Sequence, residues 1–176
     1  MKIESKYQEG LKKLLKEKPL DEINVVMLCD AIKSNRQTFY YHFRDISDVV
    51  ESILLKEKIG YGKKLFDIES VNKTLIAYIN TNYSFLSSIH NSFASDTIDQ
   101  FFYSVYYQKI TGLLKENKKI TSSVIRYLCN LYSNELVYWI ASKRKEKQAH
   151  LIHRFNVVWD YFTNQYFIDL KKETSK

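Results

Sequence analysis

Three residues that commonly cap helices, each followed by a short helical pattern, constrain the fold of this chain most. Asn24, Asn35 and Asp45 precede these patterns, and only a short polar turn separates the first pattern from Asn35. The sequence therefore predicts three helices in quick succession, over about 25–32, about 36–43 and from about 46 onward. Two helices joined by so short a turn form a helix-turn-helix, whose second helix can enter the major groove of DNA.

The second of these helices has an apolar face and a polar face. Phe39 and Phe43 lie four residues apart, so they share a face and are expected to pack inward with Val26, Leu28 and Ile32. An Arg side chain can read guanine, a Gln can read adenine, and Tyr, Thr and His can bond phosphate oxygens. The same spacing also fits a small three-helix core in which the aromatic side chains only fill space.

The amino-acid sequence of this segment resembles that of a known family. The run RQTFYYHFRD at 36–45 closely resembles the recognition-helix region of TetR-family transcriptional regulators. Within that family it is most similar to the branch that includes dihydroxyacetone-kinase operon activators. Residues 11–25 also resemble the family's first helix and its lead into the second. The resemblance covers about the first third of the chain, and it implies a homodimeric, all-helical repressor or activator.

The chain departs from the family pattern at two places. The turn reads Ile32-Lys33-Ser34 where the family usually has Ala-Gly-Val, so Lys33 is expected to adopt a conformation that glycine adopts more easily. Ile46 stands where the family commonly has a lysine that binds phosphate. Arg44 is close enough to replace that lysine.

These patterns give a set of predicted DNA contacts. Arg36 and Gln37 are expected to touch bases. Thr38, Tyr40 and His42, with Lys33 or Arg44, are expected to hold the DNA backbone, and Tyr41 can do either. The predicted DNA-contact residues are Lys33, Asn35, Arg36, Gln37, Thr38, Tyr40, Tyr41, His42 and Arg44.

Composition extends the helical prediction to the whole chain. Only 4 Gly and 1 Pro occur in 176 residues, which favours long helices and argues against a sandwich or barrel. We expect an all-α fold, with a helix-turn-helix DNA-binding domain at 1–46 and a helical-bundle domain for ligand binding and dimerisation at 47–176. A connector helix at about 47–65 would begin the second domain. The net charge of +7 is spread along the chain, so it permits a polyanionic partner without locating one.

Several features suggest a cytoplasmic protein without a membrane partner. The first ten residues lack the apolar run of a signal peptide, and no segment is apolar enough to span a membrane. Cys29 and Cys129 lie in apolar helical patterns, so two buried free thiols are expected rather than a disulfide.

Four longer helices are predicted beyond the connector, at about 71–90, 96–116, 121–143 and 146–172. The last two are apolar around much of their circumference and need partners on two sides. One partner can be the core, and the other a second copy of the protein in a two-fold, four-helix interface. The predicted dimer contacts are Leu136, Trp139, Phe155, Trp159 and Phe162. The alternative is one larger core within a single chain.

Aromatic side chains are abundant in the same region, and phenol groups suit an apolar pocket with a few polar anchors. An unidentified small-molecule effector is therefore expected. The candidate pocket residues are Tyr78, Phe85, Phe102, Tyr106, Tyr132 and Trp139. Plain core packing is the alternative for most of them.

Other classes of function find little support in the sequence. Motifs for hydrolases, phosphate loops and zinc proteases do not occur, so we predict no enzyme and no cofactor. His150 and His153 have a spacing that could hold a metal ion, but such pairs are common by chance, and no metal site is predicted. A helical binding module of the same fold that has lost DNA binding is the remaining alternative.

Overall fold

The computed structural model describes residues 2–57, 59, 67–115 and 120–165. Within these ranges all regular structure is helical, which confirms the predicted all-α class. A 3₁₀ turn, Leu20–Glu22, and a π-helical turn, Tyr161–Gln165, also lie in these ranges. The α-helices of the described ranges are α1 Ile3–Leu14, α2 Val25–Ala31, α3 Arg36–His42, α4 Ile46–Lys56, α5 Ile68–His90, α6 Ser95–Leu113, α7 Ser122–Ala141 and α8 Gln148–Asp160.

The three predicted caps of the N-terminal helices are all formed. The side chain of Asn24 accepts a hydrogen bond from the backbone N–H of Met27, at 3.0 Å. Asn35 accepts one from Thr38 at 2.8 Å. Asp45 accepts one from Asp48 at 2.9 Å. Each cap satisfies a backbone donor that the first turn of a helix leaves free, which explains why three such short helices begin where they do.

Two predicted helices end earlier than expected. The connector α4 ends at Lys56, where Glu57 takes an extended backbone, rather than near residue 65. Residues 58 and 60–65 of that prediction lie outside the described part of the chain. The last helix, α8, ends at Asp160 and passes into the π-helical turn. The rest of its predicted span, 166–172, is also outside the described residues. None of the described helices combines the length and apolar character that crossing a membrane requires.

The chain forms two compact units. The first unit is Met1–Lys58 with Asn82–Phe101, and the second unit is Ile59–Thr81 with Phe102–Lys176. Within α5, Asn82 leaves helical geometry (φ −110°, ψ 18°), and the first unit resumes at this residue. The division into a DNA-binding domain at 1–46 and a regulatory domain at 47–176 concerns function, and it stays a prediction.

The first unit includes more than the N-terminal helices, which the sequence did not suggest. The backbone N–H of Phe93, just before α6, donates to the carboxylate of Asp21 in the 3₁₀ turn, at 3.0 Å. The ammonium group of Lys12 in α1 lies 5.5 Å from the centre of the Phe85 ring in α5. A backbone hydrogen bond and a cation–π contact thus join the α5–α6 turn region to the N-terminal helices.

Aromatic side chains form the core beneath α3. Phe39 and Phe43 are buried as predicted, and Tyr7 of α1 lies edge-on to both rings, with ring centres 5.4 and 5.8 Å apart. Val26 does not join this core. It is 48% exposed, because its position in α2 faces away from α1 and α3, so the expectation that it packs with Phe39 was wrong.

Gly10 permits the close approach of α1 to α2. A Cβ atom at this position would overlap Cγ2 of Ile32 and lie 3.2 Å from Cδ1 of Leu28. A glycine inside a helix costs about 1 kcal/mol relative to alanine. In this chain the space beside Gly10 is filled by Ile32, at the start of the turn between α2 and α3.

This contact predicts a coupled effect of two substitutions. Gly10→Ala should lower the free energy of unfolding by about 1 kcal/mol, because overpacking by about 1–3 kcal/mol exceeds the gain in helix propensity. In an Ile32→Ala background the same change should be neutral or stabilising, because the overlapping methyl group is gone. Urea denaturation of the wild type, both single variants and the double variant gives the coupling energy. Additive effects would show that the close approach does not limit the residue at position 10.

Candidate nucleic-acid interface

Helix α3 presents its polar and aromatic side chains outward. Arg36, Gln37 and Tyr40 are exposed, and Tyr41 is 85% exposed, far more than a ring that only fills space in a core. Thr38 is half-buried, and Asn35 is used as the cap of α3. Phe39 and Phe43 point inward, and the predicted base-contact residues Arg36 and Gln37 are exposed in the first turn of the helix, beside this buried side.

The altered turn before α3 is fully formed. Lys33 adopts the left-handed conformation (φ 55°), as predicted for the position where glycine is more usual. The backbone N–H of Lys33 donates to the carbonyl of Asp30 at 3.2 Å, and that of Ser34 donates to Cys29 at 2.9 Å. These bonds close the C-terminal end of α2 in the manner of a left-handed helix cap. The side chain of Lys33 remains exposed.

Ser34 connects this turn to the core, a role that the sequence did not reveal. Its hydroxyl group shares a hydrogen bond of 2.7 Å with the hydroxyl group of Tyr7. Cys29 is a buried free thiol, as predicted, and burial raises its pKa above 9.0. The thiol is therefore protonated near neutral pH and acts as a small apolar residue.

The structure corrects the prediction for His42. Its side chain is half-buried, and Nδ1 lies 3.6 Å from the carboxylate of Glu4 in α1. The ring of His42 also packs at right angles to that of Tyr41, with centres 4.9 Å apart. His42 is therefore directed toward α1, where it supports the end of α3, instead of standing free to bond a phosphate.

Arg44 is exposed but already has a partner. Its backbone N–H donates to the carboxylate of Asp48 at 2.9 Å, and its guanidinium lies 3.4 Å from the same group. Because the backbone N–H of Asp48 in turn donates to Asp45, the start of α4 is capped from both sides. The Arg44 side chain is 81% exposed, so its guanidinium can still face an anion.

The charge of Asp48 makes the stability of this unit sensitive to acid. The Arg44 backbone N–H is the main group that holds the pKa of Asp48 below its usual value of 3.8. A carboxylate with a lowered pKa stabilises the fold above pH 3.8, and this contribution is lost as the pH falls through its folded-state pKa. Asp48→Asn should therefore lower the melting temperature at pH 7, and the difference from the wild type should vanish in acid. Thermal melts between pH 7 and pH 2 measure it, and an equal difference at every pH would contradict the assignment.

The candidate pocket residues do not form one group. Phe85 belongs to the first unit, whereas the other five belong to the second unit. Tyr78 and Phe85 are half-buried, and Phe102, Tyr106, Tyr132 and Trp139 are buried.

Three of the buried side chains already use their polar atoms. Tyr106 donates to Oδ1 of Asn72 at 2.8 Å, and Tyr132 donates to the carbonyl of Phe155 at 3.0 Å. Trp139 donates to the carbonyl of Glu146 at 2.8 Å. Core packing thus accounts for much of this aromatic content. The polar residue among these aromatic side chains is Asn72, which the sequence patterns did not single out. The signal that could have identified it is an amide residue on an otherwise apolar face of α5.

The predicted dimer contacts also need correction. Leu136, Trp139 and Phe155 are buried within the chain itself, so a second copy cannot reach them in this conformation. Trp159 and Phe162 are half-buried. The large apolar residues of this region that stand exposed are different ones: Tyr127 and Tyr138 of α7, Val157 of α8, and Tyr161 of the π-helical turn. Helical periodicity indicated that α7 and α8 are apolar on two sides, but not which side is internal.

No metal-binding cluster is evident in the described ranges, where no three His, Cys, Asp or Glu side chains come together. His150 and His153 are both exposed on α8.

The chain is similar to known regulators of transcription. No family model matches the chain. It is 25% identical over 119 residues to an uncharacterised HTH-type transcriptional regulator, YxbF, of Bacillus subtilis (strain 168), and the match covers 61% of this chain. The chain spans only about 30% of the length of that relative.

The fold is similar to that of a solved regulator. The dihydroxyacetone kinase operon activator DhaS superimposes with a TM-score of 0.61 at 15% identity, over 88% of this chain and 92% of that one. The resemblance stated from the sequence is therefore confirmed: the chain is similar to a helix-turn-helix regulator and has the fold of DhaS. Neither protein is named as an enzyme, in agreement with the sequence prediction.

Proposed function

We propose that this chain is a TetR-type regulator of transcription that binds a pseudo-palindromic operator as a homodimer and responds to a small-molecule effector. The observation that carries the proposal is the exposed surface of α3, to which Arg36, Gln37, Tyr40 and Tyr41 contribute. The helix caps and the buried rings of Phe39 and Phe43 hold this surface in place. The functional division is a DNA-binding domain at 1–46 and a regulatory domain at 47–176.

The proposed DNA contacts fall into two groups, those to bases and those to phosphates. Arg36 and Gln37 lie in the first turn of α3, the part of a recognition helix that reaches base edges, and their side chains can each make two hydrogen bonds to a base. We assign the phosphate contacts to Lys33, Thr38, Tyr40 and Arg44, which lie in α3 or next to its ends. Tyr41 serves either role. We leave His42 out of this set because it is directed toward Glu4.

Selection from a pool of random duplex DNA tests this function. The purified protein should enrich a palindromic motif whose half-sites lie one helical turn (roughly 34–36 Å) or a multiple of it apart. Arg36→Ala, as the control, should lose the motif and keep non-specific binding, at a cost of about 1–3 kcal/mol on the selected site. No enrichment at low salt would contradict the proposal and favour a helical binding module that has lost DNA binding.

Lys33 permits a separate test of a phosphate contact. Lys33→Asn removes the charge but retains a residue that tolerates the left-handed conformation, so the turn should persist. Affinity should fall similarly for the selected site and for random DNA, and the slope of log K against log salt should become shallower by about 1. Fluorescence anisotropy over a salt series measures both quantities, with Lys145→Asn on the α7–α8 turn as the matched control. An unchanged slope would remove Lys33 from the interface.

The exposed apolar side chains of the second unit support the homodimer. Tyr127 and Tyr138 lie three helical turns apart on one face of α7. Val157 lies on α8, and Tyr161 begins the π-helical turn that follows it. Tyr127 contacts Phe162, with ring centres 5.5 Å apart, so the two faces adjoin. Neighbouring helices with aligned exposed apolar residues suit a two-fold four-helix interface.

A charge placed in this face should separate the subunits. The wild type should have twice the chain mass of 21.0 kDa. Tyr138 is 69% exposed, so Tyr138→Glu should leave the monomer folded. An unpaired carboxylate in the interface should raise the dimer dissociation constant about a hundredfold or more. Tyr107→Glu on α6 is the matched control and should remain dimeric. Light scattering after gel filtration decides the matter, and a Tyr138→Glu dimer would show that this face is not the interface.

A further inference from the structure

One buried side chain of the second unit has an unused donor. Asn72 on α5 is fully buried, with 0% of its surface exposed. Its Oδ1 accepts the hydrogen bond from Tyr106 at 2.8 Å. Its Nδ2 has no hydrogen-bond partner among the described residues. A buried amide donor left in this way destabilises a folded protein, and native proteins seldom retain one without a reason.

The position itself does not require an amide. Asn72 lies on the buried face of α5 with Ile68, Leu75, Ile76 and Ile79, all of which are in the core. A leucine at this position would have the same branching and number of side-chain heavy atoms and would bury no polar group. The penalty of the asparagine is therefore specific to its amide group.

The surroundings form a neutral polar cluster within one unit. The ring of Tyr106 lies 5.2 Å from that of Tyr132, and Tyr132 packs edge-on to Phe155 at 4.9 Å. Both tyrosine hydroxyl groups are already engaged as donors, to Asn72 and to the carbonyl of Phe155. The Nδ2 group is thus the donor of this cluster that still lacks an acceptor.

The electrostatics of the cluster disfavour an anion. Burial raises the pKa values of Tyr106 and Tyr132 and raises that of Cys129 to about 11. The negative charge of Asp160 also raises the pKa of Tyr132. A nearby cation would lower these values, and none contributes from the described residues. A carboxylate or phosphate in this place would be buried without a counter-charge.

We propose that Nδ2 of Asn72 is the polar anchor of an effector site in the core of the second unit, for a neutral, mostly apolar small molecule that carries one hydrogen-bond acceptor such as a carbonyl oxygen. The acceptor would satisfy the unused amide donor, and the rings of Tyr106 and Tyr132 would pack against the apolar remainder. The regulatory meaning of the site rests on the proposed function. Binding itself does not depend on DNA.

Four probe compounds of similar size test the chemical class. Acetophenone and benzamide are neutral and carry a carbonyl group, ethylbenzene has no acceptor, and benzoate is anionic. Acetophenone and benzamide should raise the melting temperature of the full-length protein by about 2–4 °C near saturation. Ethylbenzene and benzoate should leave it unchanged. The side-chain amide resonances of Asn72, identified by their loss in Asn72→Leu, should move with the carbonyl probes.

The matched variant removes both members of the hydrogen bond. Asn72→Leu combined with Tyr106→Phe leaves no unpaired polar group, so without a probe this double variant should melt about 2–4 °C above the wild type. It should show no shift with acetophenone or benzamide. It should bind random duplex DNA as the wild type does, which would confirm that the lost response does not arise from misfolding.

The outcomes separate this inference from the proposed function. If neither carbonyl compound raises the melting temperature, if ethylbenzene raises it equally, or if the shift persists in the double variant, Asn72 is a structural core residue and the inference is wrong. If the wild type binds no DNA, the proposed function fails, and the response to the probes still decides the role of Asn72.

Discussion

Tyr7 holds together the elements on which the rest of the N-terminal unit depends. Its ring is fully buried against Phe39 and Phe43, the two inward residues of the α3 region, and its hydroxyl group bonds Ser34 in the turn before α3. Tyr7 thus fixes how closely α3 packs against α1 and where the turn before α3 lies. Edge-to-face ring pairs and a hydrogen bond are directional, so they orient α3 as well as bury it. The outer face can then carry exposed side chains such as Arg36 and Gln37.

The turn departs from the family pattern without losing its shape, because the change is compensated elsewhere. Lys33 accepts a left-handed backbone, which costs a non-glycine residue roughly 1–2 kcal/mol, and the bonds from Lys33 and Ser34 close the end of α2 around it. Ile32, larger than the usual alanine, occupies the space that Gly10 leaves in α1. The glycine that weakens α1 as an isolated helix is therefore what permits the larger residue at the start of the turn.

Features that depend on residues close in sequence could be predicted, whereas features that depend on contacts between helices could not. The caps at Asn24, Asn35 and Asp45 depend on residues three positions apart, so their prediction was sound. Periodicity indicated that α7 and α8 are buried on two sides. It could not say that Leu136 and Phe155 face the chain's own core, because that depends on which helix packs against which. The contact of His42 with Glu4 and the unused amide of Asn72 likewise depend on tertiary placement. The α4 boundary at Lys56 was missed because the apolar pattern has no strong stop signal there.

Hydrogen exchange of the full chain with and without duplex DNA tests the central claim, that the exposed face of α3 is the DNA-reading surface. Random-sequence duplex at low salt is sufficient, because phosphate contacts alone bring the surface into place. Backbone amides at 33–44 should show the greatest added protection, with little change on α7. Protection centred on the basic α7–α8 turn, Lys143 to Lys147, or an absence of protection at 33–44 while the DNA is bound, would contradict the account.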